Sequence, residues 1–343
     1  MSDEIKRTEI GEIGEFGLID RIKTTATGNS ESTQLGIGDD AAIIGDNQVV
    51  STDMLTEGVH FDLSYMPLHH LGYKAVAINV SDIAAMNAKP EQVLVSLGLS
   101  NRMSVEAVEA VYEGIKAACE SYKVDLVGGD TTSSYSGLIL SVTAIGKGEK
   151  EKLTLRSGAQ KNDIVCVTGD IGAALVGLQV LEREKQVFLA NPEMQPELKG
   201  HEYVVGRQLK PEARMDIIYE LDELGLVPNA MIDISDGLSS ELFHICTQSG
   251  VGVNIYEDKL PIDKSTYDTA VEFNLDPITC ALNGGEDYEL LFTIGQDDFE
   301  KIKKHPDIAT IGYITDKKEG MNLVTKSGKA VPLKAQGWQH FNS

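Results

Sequence analysis

The chain has 343 residues, of which 42% are hydrophobic and 24% charged, a composition typical of a soluble globular protein with two domains. Its 30 Lys and Arg face 53 Asp and Glu, which gives a formal net charge of −23. This balance argues against nucleic acid or an anionic membrane as a partner, because both are bound by basic surfaces. An anionic substrate would have to be bound together with cations.

The first half of the chain predicts a mixture of helices and strands. Apolar residues at helical spacing alternate with short apolar runs, and the Gly-Asp-Asn sequence at 45–47 predicts a hairpin turn. In chain order, the predicted elements are a helix at 15–23, a hairpin at 41–54, a helix at 69–88, a strand at 92–99, a helix from Ser104 to 122, a buried strand at 124–127 that runs into GGDTTSS, and a strand at 138–146.

The charged stretch KGEKEK at 147–152 predicts the boundary between two domains, which we place at 1–148 and 149–343. Beyond it, DIVCVTG predicts a strand and DIGAALVGLQVLE a helix. After the polar segment 190–202, helix and strand patterns alternate to the end of the chain. The mixed order of strands and helices favours two domains of the α/β or α+β class.

The four cysteines form no C-x-x-C pair, and three of them lie in apolar runs, so we predict buried free thiols in a reducing compartment. No apolar signal segment is visible near residue 1, and no run reaches the roughly 18 apolar residues of a membrane span. We therefore expect a cytoplasmic protein. The cysteines are Cys119, Cys166, Cys246 and Cys280.

The stretch GIGDDAAII, residues 36–44, fits the G-x-G-x-x-A form of a dinucleotide-binding turn. That turn must lead directly into a helix, whereas here a strand is predicted to follow. Asp39 and Asp40 would also repel a pyrophosphate at this position. A dinucleotide site is therefore excluded, and phosphates could lie near these acids only with cations between them.

A subset of the acidic residues lies at the ends of apolar segments or within one. Asp82 is the clearest case, since it sits inside the apolar helix AVAINVSDIAAM, where a carboxylate needs a partner. Few Lys or Arg flank these acids, and no His or Cys cluster indicates zinc. The acids are Asp39, Asp40, Asp53, Asp82, Asp130, Asp233, Asp236, Glu286 and Asp287.

Divalent cations bound through oxygen would compensate these charges, and Ser51, Thr52 and Ser235 would add neutral oxygen ligands. Mg²⁺ fits best, because it is usually held by a few carboxylates and substrate phosphates, and the spacing matches no EF-hand loop. Singly, each acid has a simpler explanation as a turn or helix cap, which stays open for Asp130 and Asp236. Five or more such sites in one chain make capping an incomplete explanation.

No Walker A sequence and no HRD or DFG signature is present, so an ATP-using enzyme of this sequence would hold its nucleotide through metals and glycine turns. Seven further motifs follow one another over nearly the whole chain: GIGDDAAI, STDMLTEGVHF, KAVAINVSDIAAMNAKP, LVGGDTT, LTLRSGAQKNDIVCVTG, IDISDGLSSEL and NGGEDYELLFT. In this order they resemble the thiamine-monophosphate kinase family, whose superfamily includes aminoimidazole ribonucleotide synthetase and selenophosphate synthetase.

The resemblance implies an aminoimidazole ribonucleotide synthetase-like fold of the α+β and α/β class. In it, an N-terminal mixed-sheet domain binds ATP and metal and forms a homodimer, and a C-terminal α/β domain follows. It also implies phosphorylation of thiamine phosphate to thiamine diphosphate by in-line transfer from ATP, with several Mg²⁺ and with K⁺ as a further cation.

By motif, the resemblance assigns roles to individual residues, with Asp130, Asp236 and Arg156 as the catalytic group and no role for Thr56 and Glu57. The implied metal ligands are Asp40, Ser51, Thr52, Asp53, Asp82, Asp130, Asp233 and Asp236. The implied ATP contacts are Tyr112, Gly129, Asp130, Arg156 and Ser235, and the implied substrate contacts are His60, Glu286 and Trp338.

Two other functions remain open at this point. One is an ATP-dependent amidine-forming ligase of the same superfamily, for which ring closure of a ribonucleotide would be the assay. The other is a non-enzymatic Mg²⁺-binding module, which would bind the metal without turning over ATP. Selenophosphate synthesis is disfavoured, because no Cys lies near the N-terminal glycines.

Overall fold

The first half of the chain forms the helices and strands that its sequence predicts, together with one short strand at 33–35 that was not predicted. The computed structural model describes residues 8–26, 28 and 30–334. Within them, Ser104 begins the third helix and accepts a hydrogen bond from the Ala107 N–H. The elements are α1 Ile10–Thr25, β1 Thr33–Leu35, β2 Ala42–Ile44, β3 Gln48–Thr56, α2 Leu68–Ala85, β4 Lys89–Leu99, α3 Val105–Tyr122, β5 Asp125–Ser133 and β6 Ile139–Lys147.

These strands form one sheet in the order β1-β2-β3-β6-β4-β5, in which β4 and β5 are the parallel pair. Helices α2 and α3 pack closely together, because Gly72 and Gly114 lack side chains at their contact. A Cβ on Gly72 would lie 2.0 Å from the Val111 carbonyl oxygen, and one on Gly114 1.9 Å from that of His69. Close helix contact thus depends on these two glycines.

The sheet has a covered face, which packs against α2, and an open face, which does not. Alternation along β3 buries Val49, Ser51 and Leu55 on the covered face. The register pairs Thr52 with Thr143, Met54 with Ser141, and Ser96 with Asp130, so each pair shares a face. The open face carries Thr52, Met54, Ser96, Asp130, Ser141 and Thr143.

The expected burial of the strand at 124–127 holds for Val124 but is wrong for residues 125–127 of the single chain. All nine residues of β5 are exposed, including Leu126 at 43% and Val127 at 56%. The strand also continues through Asp130 to Ser133, so Asp130 does not lie in a turn. The physical reason is position, since β5 is the edge strand and pairs only with β4 among the described strands.

The second half contains a seven-stranded mixed sheet in the order β13-β12-β9-β11-β7-β10-β8. Its neighbours are antiparallel except β9 and β12, so the α+β description fits this half as well as the first. Its elements are β7 Ile164–Thr168, α4 Ala173–Ala190, α5 Glu202–Leu209, α6 Met215–Glu223, β8 Ala230–Asp233, α7 Leu238–Ser249, β9 Val251–Tyr256, α8 Lys264–Glu272, α9 Pro277–Asn283, β10 Leu290–Ile294, α10 Phe299–Ile302, β11 Ile308–Asp316, β12 Met321–Val324 and β13 Ala330–Pro332.

One apolar cluster continues from α2 and the first sheet into α4, α5 and α6, so the two halves share a core. A second cluster packs between the second sheet and α7. We propose to keep the boundary between the domains at 148/149, directly after β6. All four cysteines are buried and free, as predicted. Among the described helices, none is long and apolar enough to cross a membrane.

Candidate active site

A cavity of about 1560 Å³ lies between the two halves and is lined by polar and apolar side chains from both. The strand that follows the 36–41 turn confirms that GIGDD is not a dinucleotide-binding turn. The cavity is lined by residues of α1, the 36–42 segment, β3, the 58–65 loop, α2, Arg156, α4, α5, the turn between β8 and α7, α7, α9 and the 285–288 loop.

Three carboxylates from different elements converge on this cavity. Asp40 precedes β2, Asp82 lies on α2 and Asp233 ends β8, and one oxygen of each lies within 4.8 Å of the others. The Ser81 hydroxyl donates a hydrogen bond of 2.6 Å to Asp233. The fold thus gathers acids that are up to 193 positions apart in the chain (233 minus 40).

Strand β3 adds two more polar side chains to this group. Ser51 donates a hydrogen bond to the Asp82 carboxylate, and Asp53 lies close enough for its charge to raise the pKa of Asp82. Both residues point to α2, because alternate positions of a strand share a face. Thr52 lies between them on the opposite face of the strand, and its hydroxyl donates a hydrogen bond of 3.0 Å to the backbone carbonyl of Val142. Thr52 therefore does not direct its hydroxyl at the carboxylates.

Burial raises the pKa of all four carboxyl groups. The pKa of Asp233 rises from 3.8 to about 7, first through burial and then through the charge of Asp40. The pKa of Asp82 rises well above its ordinary value, through burial and the charges of Asp53 and Asp233. Burial also raises the pKa of Asp40 and of Asp53. Ionised forms of these groups are therefore unfavourable without additional cations.

Among the described residues, only one cation forms an ion pair with this group. Arg156 donates two hydrogen bonds to Asp40 Oδ1, from Nη2 at 2.7 Å and from Nε at 3.2 Å. Asp40 Oδ2 is buried and has no hydrogen-bond partner. Because Mg²⁺ prefers carboxylate and hydroxyl oxygens, this oxygen, the neighbouring acids and Ser51 suit a divalent cation.

The two adjacent acids of GIGDD have different positions. Asp39 accepts hydrogen bonds from the backbone N–H of Arg156, at 3.1 Å to Oδ1 and 3.3 Å to Oδ2. Burial, followed by the charge of Asp40, raises the pKa of Asp39 to about 6. Asp39 thus anchors the Arg156 segment, and Asp40 is the acid that joins the cluster.

The turn between β8 and α7 brings Ser235 and Asp236 to the cavity wall. Gly237, and not Asp236, is the N-cap residue of α7. Sequence reasoning missed Glu241, a buried acid on α7 whose Oε1 accepts 2.9 Å from the Asp236 N–H. Burial, then the charge of Asp236, raises its pKa well above the ordinary value. An acid beside Leu242 in an apolar helix was the available signal.

Two of the three implied substrate contacts line the same cavity. The His60 Nδ1 accepts 3.0 Å from the Thr56 N–H. Glu286 accepts 3.0 Å from Lys74 Nζ and 2.6 Å from Gln208 Nε2, both at Oε2. Trp338 lies outside the described residues. Lys74 was not singled out from the sequence, although a lysine inside the apolar run of α2 resembles the signal that identified Asp82.

Three residues implied as ATP or metal contacts lie apart from the cavity of the single chain. Gly129 and Asp130 are on the exposed strand β5, and Tyr112 is on α3, where it packs against the core. Gly129 has φ 157° and a Cβ there would lie 1.8 Å from the Val95 carbonyl oxygen, so only glycine fits. No hydrogen bond of the Asp130 side chain is recorded among the described residues.

Comparisons with known proteins agree with this architecture. The models of the AIR synthase related protein N-terminal and C-terminal domains match residues 38–147 and 160–322. Over 95% of its length the chain is 36% identical to the thiamine-monophosphate kinase of Bacillus subtilis, of which it covers 99%.

Solved structures are similar as well. One described as AaThiL complexed with AMPPCP and TMP is 35% identical, with a TM-score of 0.82 over 98% of this chain and 99% of that one. Thiamine monophosphate kinase from Aquifex aeolicus is 34% identical, with a TM-score of 0.77 over 95% and 100%. The predicted two-domain fold is confirmed, and the chain belongs to the thiamine-monophosphate kinase family of enzymes.

Proposed function

We propose that this enzyme transfers a phosphoryl group from ATP to the phosphate of thiamine phosphate, which yields ADP and thiamine diphosphate. The observation that carries this proposal is the group of Asp40, Asp82 and Asp233, three acids at the wall of a large cavity with one paired cation among the described residues. The related AaThiL structure with AMPPCP and TMP supports the choice of both substrates.

Mg²⁺ bound at this group would neutralise the phosphates of both substrates. We propose Asp40, Asp53, Asp82 and Asp233 as carboxylate ligands, with Ser51 and Asp236 beside them. Repulsion between two polyanions is the main obstacle, since each pair of unit charges roughly 4 Å apart costs about 4 kcal/mol at an effective dielectric constant of about 20. K⁺ could add to this neutralisation and is tested by omitting it from the assay.

The chain's own residues would bind and orient the reactants. Arg156, held by Asp39 and Asp40, would place a guanidinium beside the transferred phosphoryl group and stabilise its developing charge. The acceptor phosphate has its second pKa at about 6, so it is mostly a dianion at neutral pH and needs no general base. We therefore assign none, and propose in-line attack by an acceptor phosphate oxygen.

We further propose that the enzyme is a homodimer that pairs through the open face of the first sheet. Met54 is 57% exposed there, and the neighbouring edge strand exposes Leu126 and Val127. Asp130 shares the open face and so cannot reach the carboxylates on the covered face of its own chain. A second copy packed on this face would bring its Asp130 and Gly129 to the Thr52 side of the first copy's cavity.

The test is release of ADP from Mg²⁺-ATP with thiamine phosphate present and absent. Release should require thiamine phosphate and should not occur with free thiamine, because the site provides metals for an acceptor phosphate and no base for a hydroxyl group. Equal turnover of thiamine would contradict the proposal. Ring closure of a ribonucleotide would instead indicate the amidine-forming ligase, and Mg²⁺ binding without turnover a non-enzymatic module. The four free thiols agree with our proposal of a cytoplasmic enzyme.

A further inference from the structure

Lys74 is a fully buried lysine at the back of the cavity. Its side chain is 0% exposed, and its Nζ forms an ion pair with Glu286 Oε2 at 3.0 Å. The same Nζ donates to the backbone carbonyl of Gln208 at 3.3 Å. A buried ammonium group is costly without such a partner, so the pair with Glu286 has to be explained.

Both recorded side-chain hydrogen bonds of Glu286 go to the same carboxylate oxygen. Lys74 and Gln208 bind Oε2, whereas no hydrogen bond of Oε1 is recorded in the described part of the chain. The Glu286 side chain is 27% exposed and lines the cavity. One oxygen is therefore fixed by the protein, and the other remains for a ligand.

The backbone at Glu286 is also constrained. Its φ is 64°, in the left-handed region that residues other than glycine rarely adopt. The Glu286 N–H donates 2.7 Å to the Ser235 carbonyl, and the Tyr288 N–H donates 2.9 Å to that of Ile234. Backbone strain at a cavity residue, held by neighbouring segments, indicates a side chain whose direction matters.

We propose that Lys74 is a positioning residue that orients Glu286 towards the organic part of the acceptor. Glu286 Oε1 then accepts a hydrogen bond from that part or lies beside its positive charge. Thiamine phosphate offers both features, an amino group on its pyrimidine ring and a cationic thiazolium. This inference rests on the proposed function and adds to it a residue that never touches the substrate. Lys74 acts on acceptor affinity and leaves ATP binding unchanged.

The test is a double-mutant cycle that measures KM for each substrate separately. Lys74→Met should raise KM for thiamine phosphate about tenfold or more, the effect of losing a charged hydrogen bond, and should change KM for ATP less than about twofold. The double variant Lys74→Met with Glu286→Gln should equal Glu286→Gln alone, because Lys74 acts through that residue. Gln208→Met should raise the same KM by a smaller factor.

Tyr122→Phe is the matched control. The Tyr122 hydroxyl is a buried donor to Glu212 at 3.0 Å, lies at the same interface between the halves and does not line the cavity. It should lower the melting temperature and leave both KM values unchanged. A purely structural Lys74 would behave in the same way.

Three results would overturn the inference. The first is a folded Lys74→Met variant with the wild-type KM for thiamine phosphate. The second is a double variant in which the two single increases in this KM multiply. The third applies where Lys74→Met does not fold, and is an unchanged KM for thiamine phosphate in Gln208→Met. A wild-type enzyme that turns over thiamine phosphate together with any of these refutes only the role of Lys74. A wild-type enzyme that does not use thiamine phosphate refutes the proposed function and this inference together.

Discussion

The two faces of the first sheet place acidic residues in opposite environments. On the covered face, half-buried Asp53 lies near half-buried Asp82 of α2, and burial raises the pKa of both carboxyl groups. On the open face, Asp130 is exposed on an edge strand. Acids near the covered face converge within one chain, where we propose a cation site. The acid on the open face can join such a site only if another surface covers it.

Asp82→Asn should have the largest effect, because it removes a charge from the centre of the covered group. Turnover should fall about 10³-fold or more, since charge stabilisation provides most of the catalysis in phosphoryl transfer. The melting temperature without metal should hold or rise, because one of several mutually repelling carboxylates is gone. The rise in melting temperature that Mg²⁺-ATP induces should shrink.

The control for Asp82→Asn is Asp46→Asn, a change of the same type at a side chain that is 88% exposed and pairs with Lys147. Its turnover should stay within about twofold of wild type, as for most surface changes. Full activity in Asp82→Asn, with a normal Mg²⁺-ATP shift, would exclude Asp82 from the site.

Met54→Asp should have the next largest effect, because it adds a charge to the open face at an exposed position. The variant should be monomeric by sedimentation, since like charges from two copies would meet when the face is buried. Turnover should fall at least about tenfold if the site needs a second copy. Met194→Asp is the control, since Met194 is 51% exposed but lies between α4 and α5. A monomeric Met54→Asp variant with full turnover would show that catalysis does not need pairing through the open face.

The smallest effect concerns pH. Because the folded pKa of Asp233 is raised from 3.8 to about 7, its contribution to stability is complete below about pH 4 and is lost as pH rises through 7. In EDTA, the free energy of unfolding of wild type should therefore fall relative to Asp233→Asn between pH 4 and 7, as measured by urea denaturation. Mg²⁺ should oppose this fall, because ionised carboxylates bind it. If the free energy of unfolding changes with pH in the same way for both proteins, the raised pKa of Asp233 is contradicted.

The sequence predicted the covered face better than the open one. Asp82 could be identified because an acid inside an apolar helix has few explanations, and the structure gives it Ser51 as a hydrogen-bond donor. Lys74 is likewise a charged residue inside an apolar helix, but its role depends on Glu286, which lies 212 residues away in the chain.

The strand at 124–127 shows the limit of such reasoning. Its apolar composition predicts burial, yet composition does not say whether the covering surface comes from the same chain. In the single chain, Leu126 and Val127 stay exposed. Glu241 was missed although it is an acid in an apolar helix, and its hydrogen bond with the Asp236 N–H is visible only in the folded chain.

The most direct test of the account is complementation between two inactive variants, Asp82→Asn and Asp130→Asn. If each site combines Asp82 of one copy with Asp130 of the other, a mixed dimer has one site with both acids intact. Random pairing of equal amounts, after dissociation and reassociation, should then restore about one quarter of wild-type turnover. If both acids serve the site of their own chain, every site in the mixture carries one substitution, and turnover should stay at the level of the separate variants.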